Sequence, residues 1–319
     1  MDNRKYNKKY SFMKIDTKHM PTVTVAISAF NEENNIEAFL RSVLKQEEKG
    51  FILENIWIFD DGSTDKTTDR VKEVKSSKIK LFNDHNRIGK SSRLNELYQK
   101  LQSDILVQSD ADIVMAHKHV IHDLIQPLIK EPKVAMCGGD PRPLPGSTFT
   151  EKAVNCTVEA YIPLRTTLRG GNNIFSVDGR LLAYKKELVK KMHIPETMTS
   201  NDKFTYYSCL TLGYEYRNVP TARVLYRSPK TLKDQLRQNG RFVCSPIKHS
   251  RYFPAKLIKR ETYIPKDFII KNTLKQFIRH PLMCLYVFLI NSYCRYRARD
   301  LEKKIDSRWP IAFTTKILD

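Results

Sequence analysis

The sequence has no apolar run near the roughly 20 residues that a membrane-crossing helix needs. Its first residues, MDNRKYNKKYSFMKIDTKHMP, are polar and basic where a secretory leader would be apolar. Together these absences set a cytoplasmic protein as the expectation. Six cysteines, Cys137, Cys156, Cys209, Cys244, Cys284 and Cys294, show no CxxC or metal-finger spacing, so they read as reduced, mostly buried small hydrophobes. Eight histidines contain no HExxH pair. The first strand leads into FNEEN with no GxGxxG, which leaves a dinucleotide's pyrophosphate nowhere to approach the backbone. RIGKSS (87–92) suggests a phosphate-binding P-loop, but Asp84 stands where the first glycine belongs. No internal repeat or low-complexity tract is present.

Acidic residues are also scarce. Lys and Arg number 55 against 35 Asp and Glu, a formal charge of +20. Residues 221–260 carry Arg223, Arg227, Lys230, Lys233, Arg237, Arg241, Lys248, Arg251, Lys256, Lys259 and Arg260 against the single acid Asp234. Such an imbalance implies contact with an anion: nucleic acid, anionic lipid or a diphosphate substrate. At 319 residues and 41% hydrophobic content, the chain can bury the core of one large domain or two small ones.

From residue 22 to about 139, β-branched runs alternate with amphipathic stretches. Strands are expected at 22–28, 55–60, 78–83, 104–110 and 133–139, with helices after each of the first four, at about 36–44, 64–75, 94–101 and 117–130. Strict alternation predicts an α/β fold, a mostly parallel sheet flanked on both faces by helices. DPRPLPG (140–146) interrupts the rhythm and marks the passage to a less regular second half. There, helices are expected at about 151–168, 185–192, 202–211 and 231–242, and strands near 180–184 and 214–226. The chain divides into a basic N-terminal tail (1–21), a first half (22–139), a second half (140–260) and a C-terminal amphipathic helical region (261–319).

Ligands of open parallel sheets bind beyond the carboxyl ends of the strands, where the strand order reverses. Three strands deliver polar groups to that edge: AFNEEN with Asn31 and Glu32, DDGSTD with Asp60, Asp61 and Asp65, and DAD with Asp110 and Asp112. Carboxylates gathered at one edge repel one another unless a cation joins them, and a hard divalent cation completes its shell with water and phosphate oxygens. Each piece also has a plainer explanation. Asp61-Gly62-Ser63 is an ordinary strand-to-helix turn in which Ser63 or Asp65 caps the next helix, and Asp112 could cap the helix after its own loop.

VAISAFNEENNIEAFLRSV, IFDDGSTDKT, RIGKSSRLNE and QSDADI, in that order, closely resemble the nucleotide-binding half of glycosyltransferase family 2, inverting enzymes of GT-A fold. The resemblance runs from about residue 23 to 242. It implies that the turn Ala29, Phe30, Asn31 and Glu32, with Asp60 and Asp61, binds the base and ribose of a sugar nucleotide. Lys90, Asp110 and Ala111 lie near the nucleotide, and Asp110 and Asp112 hold Mg2+ or Mn2+. Family members carry an ED pair whose Asp is the general base. Here it is Asn201-Asp202, with Asp202 keeping the chemistry; its plainer role is capping the helix that follows, for which Ser200 and Asn201 compete. QNGRF resembles the QxxRW motif of polymer-forming members and puts Gln238, Arg241 and Phe242 at the acceptor and diphosphate. Phe242 in place of Trp keeps a flat face but loses the indole N–H.

On this resemblance the chain is expected to be a transferase moving a sugar from a nucleoside-diphosphate sugar to the hydroxyl of a lipid-linked or cell-surface glycan. The alternatives are a non-catalytic relative that binds nucleotide or glycan, and a nucleotidyltransferase, which would carry a Gly-rich basic loop missing after the first strand. Nucleic acid, suggested by charge alone, is not expected as a partner. PLMCLYVFLI (281–290), with Arg279, Arg295, Arg297 and Arg299 around it, is too short to span a bilayer. It suits a helix lying at the anionic cytoplasmic surface, or one packed on the catalytic domain.

Overall fold

The computed structural model describes residues 20–304 and 313–315. The basic N-terminal tail, apart from Met20 and Pro21, and most of the chain after Lys304 lie outside the described residues. The first half forms β1 (Thr22–Ala29), α1 (Ile36–Leu44), β2 (Ile52–Asp60), α2 (Thr67–Glu73), β3 (Ile79–Phe82), α3 (Lys90–Lys100), β4 (Ile105–Ser109), β5 (Ile113–Met115) and α4 (Val120–Lys130). Then follow β6 (Val134–Pro143), α5 (Phe149–Thr167), β7 (Leu181–Lys185), α6 (Lys186–Val189), α7 (Asn201–Thr211), β8 (Glu215–Tyr226) and α8 (Leu232–His249). Four C-terminal helices close the described chain: α9 (Ala255–Thr262), α10 (Lys266–Arg279), α11 (Pro281–Tyr296) and α12 (Ala298–Lys304).

All eight strands belong to one sheet in the order β3-β2-β1-β4-β7-β6-β8-β5. β3, β2, β1 and β4 run parallel, as alternation with helices predicts. β7 enters antiparallel to β4, and β5 pairs antiparallel with β8. β1 lies between β2 and β4, so the strand order reverses there and opens a crevice beyond the ends of β1 and β4. The two faces follow the two-residue strand period. Val23, Val25 and Ile27 of β1 pack with α1 and α4, whereas Ala26 joins Trp57, Phe59 and the apolar side of α3 and α7 on the other face.

Two expectations needed adjusting. β6 does not stop at Gly139: it runs on to Pro143, with Asp140 to Pro143 paired to Arg223 to Tyr226 of β8. Prolines 141 and 143 are tolerated where the ladder is irregular and near its end. β5 was not foreseen, because three residues are too few to show a period.

α11 packs on the domain along one side and leaves apolar residues exposed along another. Tyr286 Oη lies 3.1 Å from Thr150 Oγ1 of α5, and Asn291 Oδ1 accepts from Asn239 Nδ2 of α8 at 2.6 Å. Leu282, Leu285, Leu289, Tyr293 and Tyr296, spaced along one stripe, remain exposed, and Ile270, Leu274 and Ile278 continue the apolar surface on α10. Among the described residues no helix is long and apolar enough to cross a membrane.

Candidate functional site

β4 ends at Ser109, and the turn Asp110-Ala111-Asp112 leads straight into β5. Asp112 therefore caps no helix; the N-cap of α4 is His119. Asp110 is ion-paired with Lys90 Nζ. Asp112 Oδ1 is buried and has no hydrogen-bond partner. Burial, and then the neighbouring Asp110 charge, push the Asp112 carboxyl up to about 6, against the pull of Arg180 and Lys90. A buried carboxylate oxygen without a partner, beside a like charge, fits a divalent cation, which would answer both. Among the described residues no cluster of three or more His, Cys, Asp or Glu stands ready to hold a metal. A cation here would have two protein carboxylates and fill its shell with water and phosphate oxygens, the normal habit of Mg2+.

The nucleoside-side residues are tied differently. Asn31 has a positive φ of 53°, which Asn tolerates better than most residues. Its N–H donates to Ser63 Oγ at 3.0 Å, and its Oδ1 accepts from the Thr64 N–H at 2.8 Å. The Glu32 N–H donates to Thr67 Oγ1 at 2.7 Å. Asp60 is fully buried, its Oδ2 accepting from the Ser63 N–H at 3.0 Å. Asn31 and Glu32 thus lace the loop after β1 to the loop after β2, and Asp60 braces the latter. Asp65 does serve the start of α2, its Oδ1 accepting from the Thr67 N–H at 2.9 Å.

Asp61 has a different set of partners from Asp110. Its Oδ1 accepts from the Ile88 and Gly89 N–H groups, both at 2.9 Å, and lies 3.4 Å from Arg93 Nε. Burial raises its carboxyl despite these donors. The expected meeting of all the carboxylates around one cation is therefore not what the structure shows: Asp61 is answered by backbone N–H groups and arginine. Gly62 makes this possible. It adopts φ +73°, and a Cβ there would lie 3.0 Å from Arg87 N. The guanidinium of Arg87 stacks 3.9 Å above the Phe30 ring. Gly89 and Lys90, adjacent at the start of α3, link the Asp61 pocket to the Asp110 turn.

The second half supplies the other wall. Asp202 lies in the first turn of α7, and the N-cap is Ser200. Ser200 Oγ donates to Asp202 Oδ1 at 2.7 Å, and Lys203 Nζ is 3.7 Å from Asp202 Oδ2. Asn201, the departure from the family's Glu, is buried and accepts from Ser91 Oγ of α3 at 3.1 Å, tying α7 to α3. Gln238, Arg241 and Phe242 share one face of α8 by their three- and four-residue spacing. Arg241 interacts electrostatically with Asp110, Asp112 and Asp202 together, while burial draws its guanidinium down to about 10. Phe242 is 56% exposed. Asp110, Asp112 and Asp202 therefore lie within the electrostatic reach of Arg241, although 131 positions separate Asp110 from Arg241 in the chain.

Sequence reasoning gave Asp178 and Arg180, at the end of the loop 172–179 and the start of a strand, no role in the site. Arg180 Nη1 lies 3.1 Å from both oxygens of Asp178, and its guanidinium sits 3.7 Å above the Tyr226 ring. Burial alone would raise the Asp178 carboxyl, but Arg180 and Arg165 hold it at about 2. The one signal was an acid and a base flanking a glycine before a strand; only the β4–β7 pairing brings it to the site.

The family model described as "Glycosyl transferase family 2" matches residues 24–192. The poly-beta-1,6-N-acetyl-D-glucosamine synthase of Staphylococcus aureus (strain MSSA476) is 26% identical over 236 residues, which are 72% of this chain and 55% of that protein. The beta-monoglucosyldiacylglycerol synthase of Nostoc sp. is 31% identical over 119 residues, covering 36% of this chain and 25% of that one. The chain spans about half the length of the staphylococcal relative. Among solved structures, a mannosyltransferase from Pyrobaculum calidifontis in complex with GDP-Man and Mn2+ is similar with a TM-score of 0.57 at 19% identity, over 92% of this chain and 77% of that chain. Glucosyl-3-phosphoglycerate synthase from Mycobacterium tuberculosis, in complex with Mn2+, UDP and phosphoglyceric acid, gives 0.50 at 18% identity, over 75% and 81%. These likenesses agree with the GT-A type of sheet described above. With just over half of its length matched by the family model, the chain belongs to glycosyl transferase family 2.

Proposed function

We propose that this protein transfers a sugar from a nucleoside-diphosphate sugar to an acceptor hydroxyl with inversion at the anomeric carbon. The 22–139 half would carry the donor and the 140–260 half the acceptor. One observation carries the reading: the unpartnered Asp112 oxygen and the Asp202 carboxylate lie within the electrostatic reach of a single guanidinium, Arg241. That arrangement supports a donor diphosphate and an acceptor hydroxyl side by side.

Asp202 takes the proton from the acceptor oxygen, which attacks the anomeric carbon from the face opposite the diphosphate. The bond from that carbon to the phosphate oxygen breaks, its electron pair leaves on the diphosphate, and the proton stays on the Asp202 carboxylate. Ser200 orients that carboxylate. Lys90 and Arg241 offset charge developing on the leaving group. A divalent cation held by Asp110 and Asp112, Mg2+ or Mn2+, would supply further neutralisation of the departing diphosphate. Asn201 is compatible with turnover, since its side chain ties α7 to α3 and leaves Asp202 in place.

A thermal-shift series with UDP-, GDP- and dTDP-sugars, each with and without Mn2+, tests the reading. Stabilisation by one nucleotide, dependent on Mn2+ and lost in Asp112→Ala, is expected. Metal-independent stabilisation that survives in Asp112→Ala would point instead to a non-catalytic binding relative.

The acceptor is proposed to be lipid-linked or cell-surface glycan. The staphylococcal relative is by name a synthase of a β-1,6-linked N-acetylglucosamine polymer, and the Nostoc relative is by name a glucolipid synthase. The exposed apolar stripe of α10 and α11, edged by Arg279, Arg295 and Arg299, supports peripheral contact with an anionic membrane on its cytoplasmic face. Failure to sediment with vesicles containing anionic lipid, under low salt, would remove the membrane from the proposal.

A further inference from the structure

β7 runs antiparallel to β4 with Leu181 opposite Ser109. The residues before β7 therefore lie beside the residues after β4, Asp178-Gly179-Arg180 against Asp110-Ala111-Asp112. Ser109 Oγ closes this juxtaposition with a 2.7 Å hydrogen bond to the Arg180 carbonyl. On the other side, a Cβ at Gly179 would meet Asp202 Cβ at 3.6 Å, ordinary contact distance. The segment thus forms a floor between the two candidate metal carboxylates and the candidate base.

The Arg180 guanidinium is fixed in this floor. Asp178 holds one nitrogen and the Tyr226 face holds the plane, with the side chain only 18% exposed. Among the described residues the side-chain hydrogen bonds of Arg180 are those of Nη1 to Asp178, which leaves Nε and Nη2 open to a ligand. Charge points the same way. Asp110, Asp112, Asp178 and Asp202 are faced here by Lys90, Arg165, Arg180, Lys203 and Arg241, so the groups around the site are already slightly positive before anything binds. A bound divalent cation then leaves a surplus of positive charge, which a diphosphate cancels.

We propose that Arg180 is a donor-binding residue: its Nε and Nη2 contact the non-bridging oxygens of the sugar nucleotide's diphosphate, with Asp178 and Tyr226 as its positioning residues. This rests on the donor-binding reading above and adds a contact that neither the DxD turn nor α8 provides. The competing role is structural, in which Arg180 does no more than neutralise Asp178.

Calorimetric titration in Mn2+ with UDP and GDP, and with uridine and guanosine, separates the two. Arg180→Gln is expected to lose about tenfold or more in affinity for the nucleoside diphosphate that binds the wild type, with the matching nucleoside unaffected. Arg180→Lys should recover part of the loss, keeping the charge without the fork. Arg180→Gln together with Asp178→Asn removes both charges, so no buried carboxylate is stranded should the single variant unfold, and the same selective loss is expected. Wild-type diphosphate affinity in this double variant would overturn the role of Arg180 while leaving the donor site intact. Failure of the wild type to bind either diphosphate would instead overturn the donor-binding reading, and this inference with it.

Discussion

Asp112 shows at the scale of one residue how a site sets itself against the fold. Its carboxyl is raised to about 6, whereas an exposed aspartate titrates near 3.9. The folded state therefore prefers the protonated form. Below pH 4 both states are protonated and the residue costs nothing; between pH 4 and 6 the penalty grows; above pH 6 it is fully present. Asp112→Asn is expected to stabilise the metal-free protein at pH 7 by up to about 2 kcal/mol, discounted for partial exposure, and to lose that advantage by pH 4. Thermal unfolding in EDTA at both pH values checks this; an equal shift at the two would contradict it. Asp202→Asn should behave differently. The amide oxygen can still accept from Ser200 Oγ, so the melting temperature should change little, while kcat falls about 10²- to 10⁴-fold with donor affinity kept. Steady-state kinetics with the donor identified by thermal shift would decide. Asp110, Asp112 and Asp202 were legible in the sequence because each follows a recognisable strand or begins a recognisable helix. Arg180 was not, since its meaning depends on which strand lies beside its own.

At the scale of elements, two loops and a strand junction position the chemistry. The loop between β3 and α3 is anchored by Arg93, whose side chain is only 4% exposed. It pairs with Asp84 and Glu96 and lies 3.4 Å from Asp61. Arg93 holds the exposed Asp84 carboxyl down at about 2. Arg93→Met should cost about 2–3 kcal/mol by denaturant unfolding, less than a fully buried network because Asp84 and Glu96 reach water. It should also weaken nucleotide binding, since Asp61 takes its N–H partners from this loop. The junction of β6, β7 and β8 is tighter. A Cβ at Gly139 would fall 2.5 Å from Leu181 Cδ2 and 2.6 Å from the Ala222 carbonyl oxygen. A side chain can shift, but a backbone carbonyl in a ladder cannot do so cheaply. Gly139→Ala is therefore expected to destabilise by about 2 kcal/mol or more, measured as a lower melting temperature. Helices and strands of the first half were readable because alternation and the 3.6-residue period are local. The run of β6 through two prolines and the three-residue β5 were not, because pairing with β8 decided both.

For the whole molecule, charge and apolar exposure act together. A formal charge of +20 and exposed apolar residues on α10 and α11 underlie the proposal of contact with an anionic membrane surface. Binding to vesicles with anionic lipid is expected to weaken as salt rises from about 50 to 500 mM, and Leu285→Ser with Leu289→Ser should reduce it at every salt concentration. Co-sedimentation measures both; salt-insensitive binding unaffected by the two serines would assign the stripe another partner. The sequence alone determined the alternating α/β half, the basic character, and which carboxylates stand at strand ends, because periodicity, composition and short motifs are local properties of the chain. Tertiary structure decided which carboxylates share a site. Asp61 takes its donors from the β3–α3 loop and Arg93, while Asp110 and Asp112 lie beside Arg180 because β7 docks antiparallel on β4, and with Asp202 they fall within the electrostatic reach of Arg241. Contacts between residues so far apart are set by sheet order and helix docking, which no local pattern encodes.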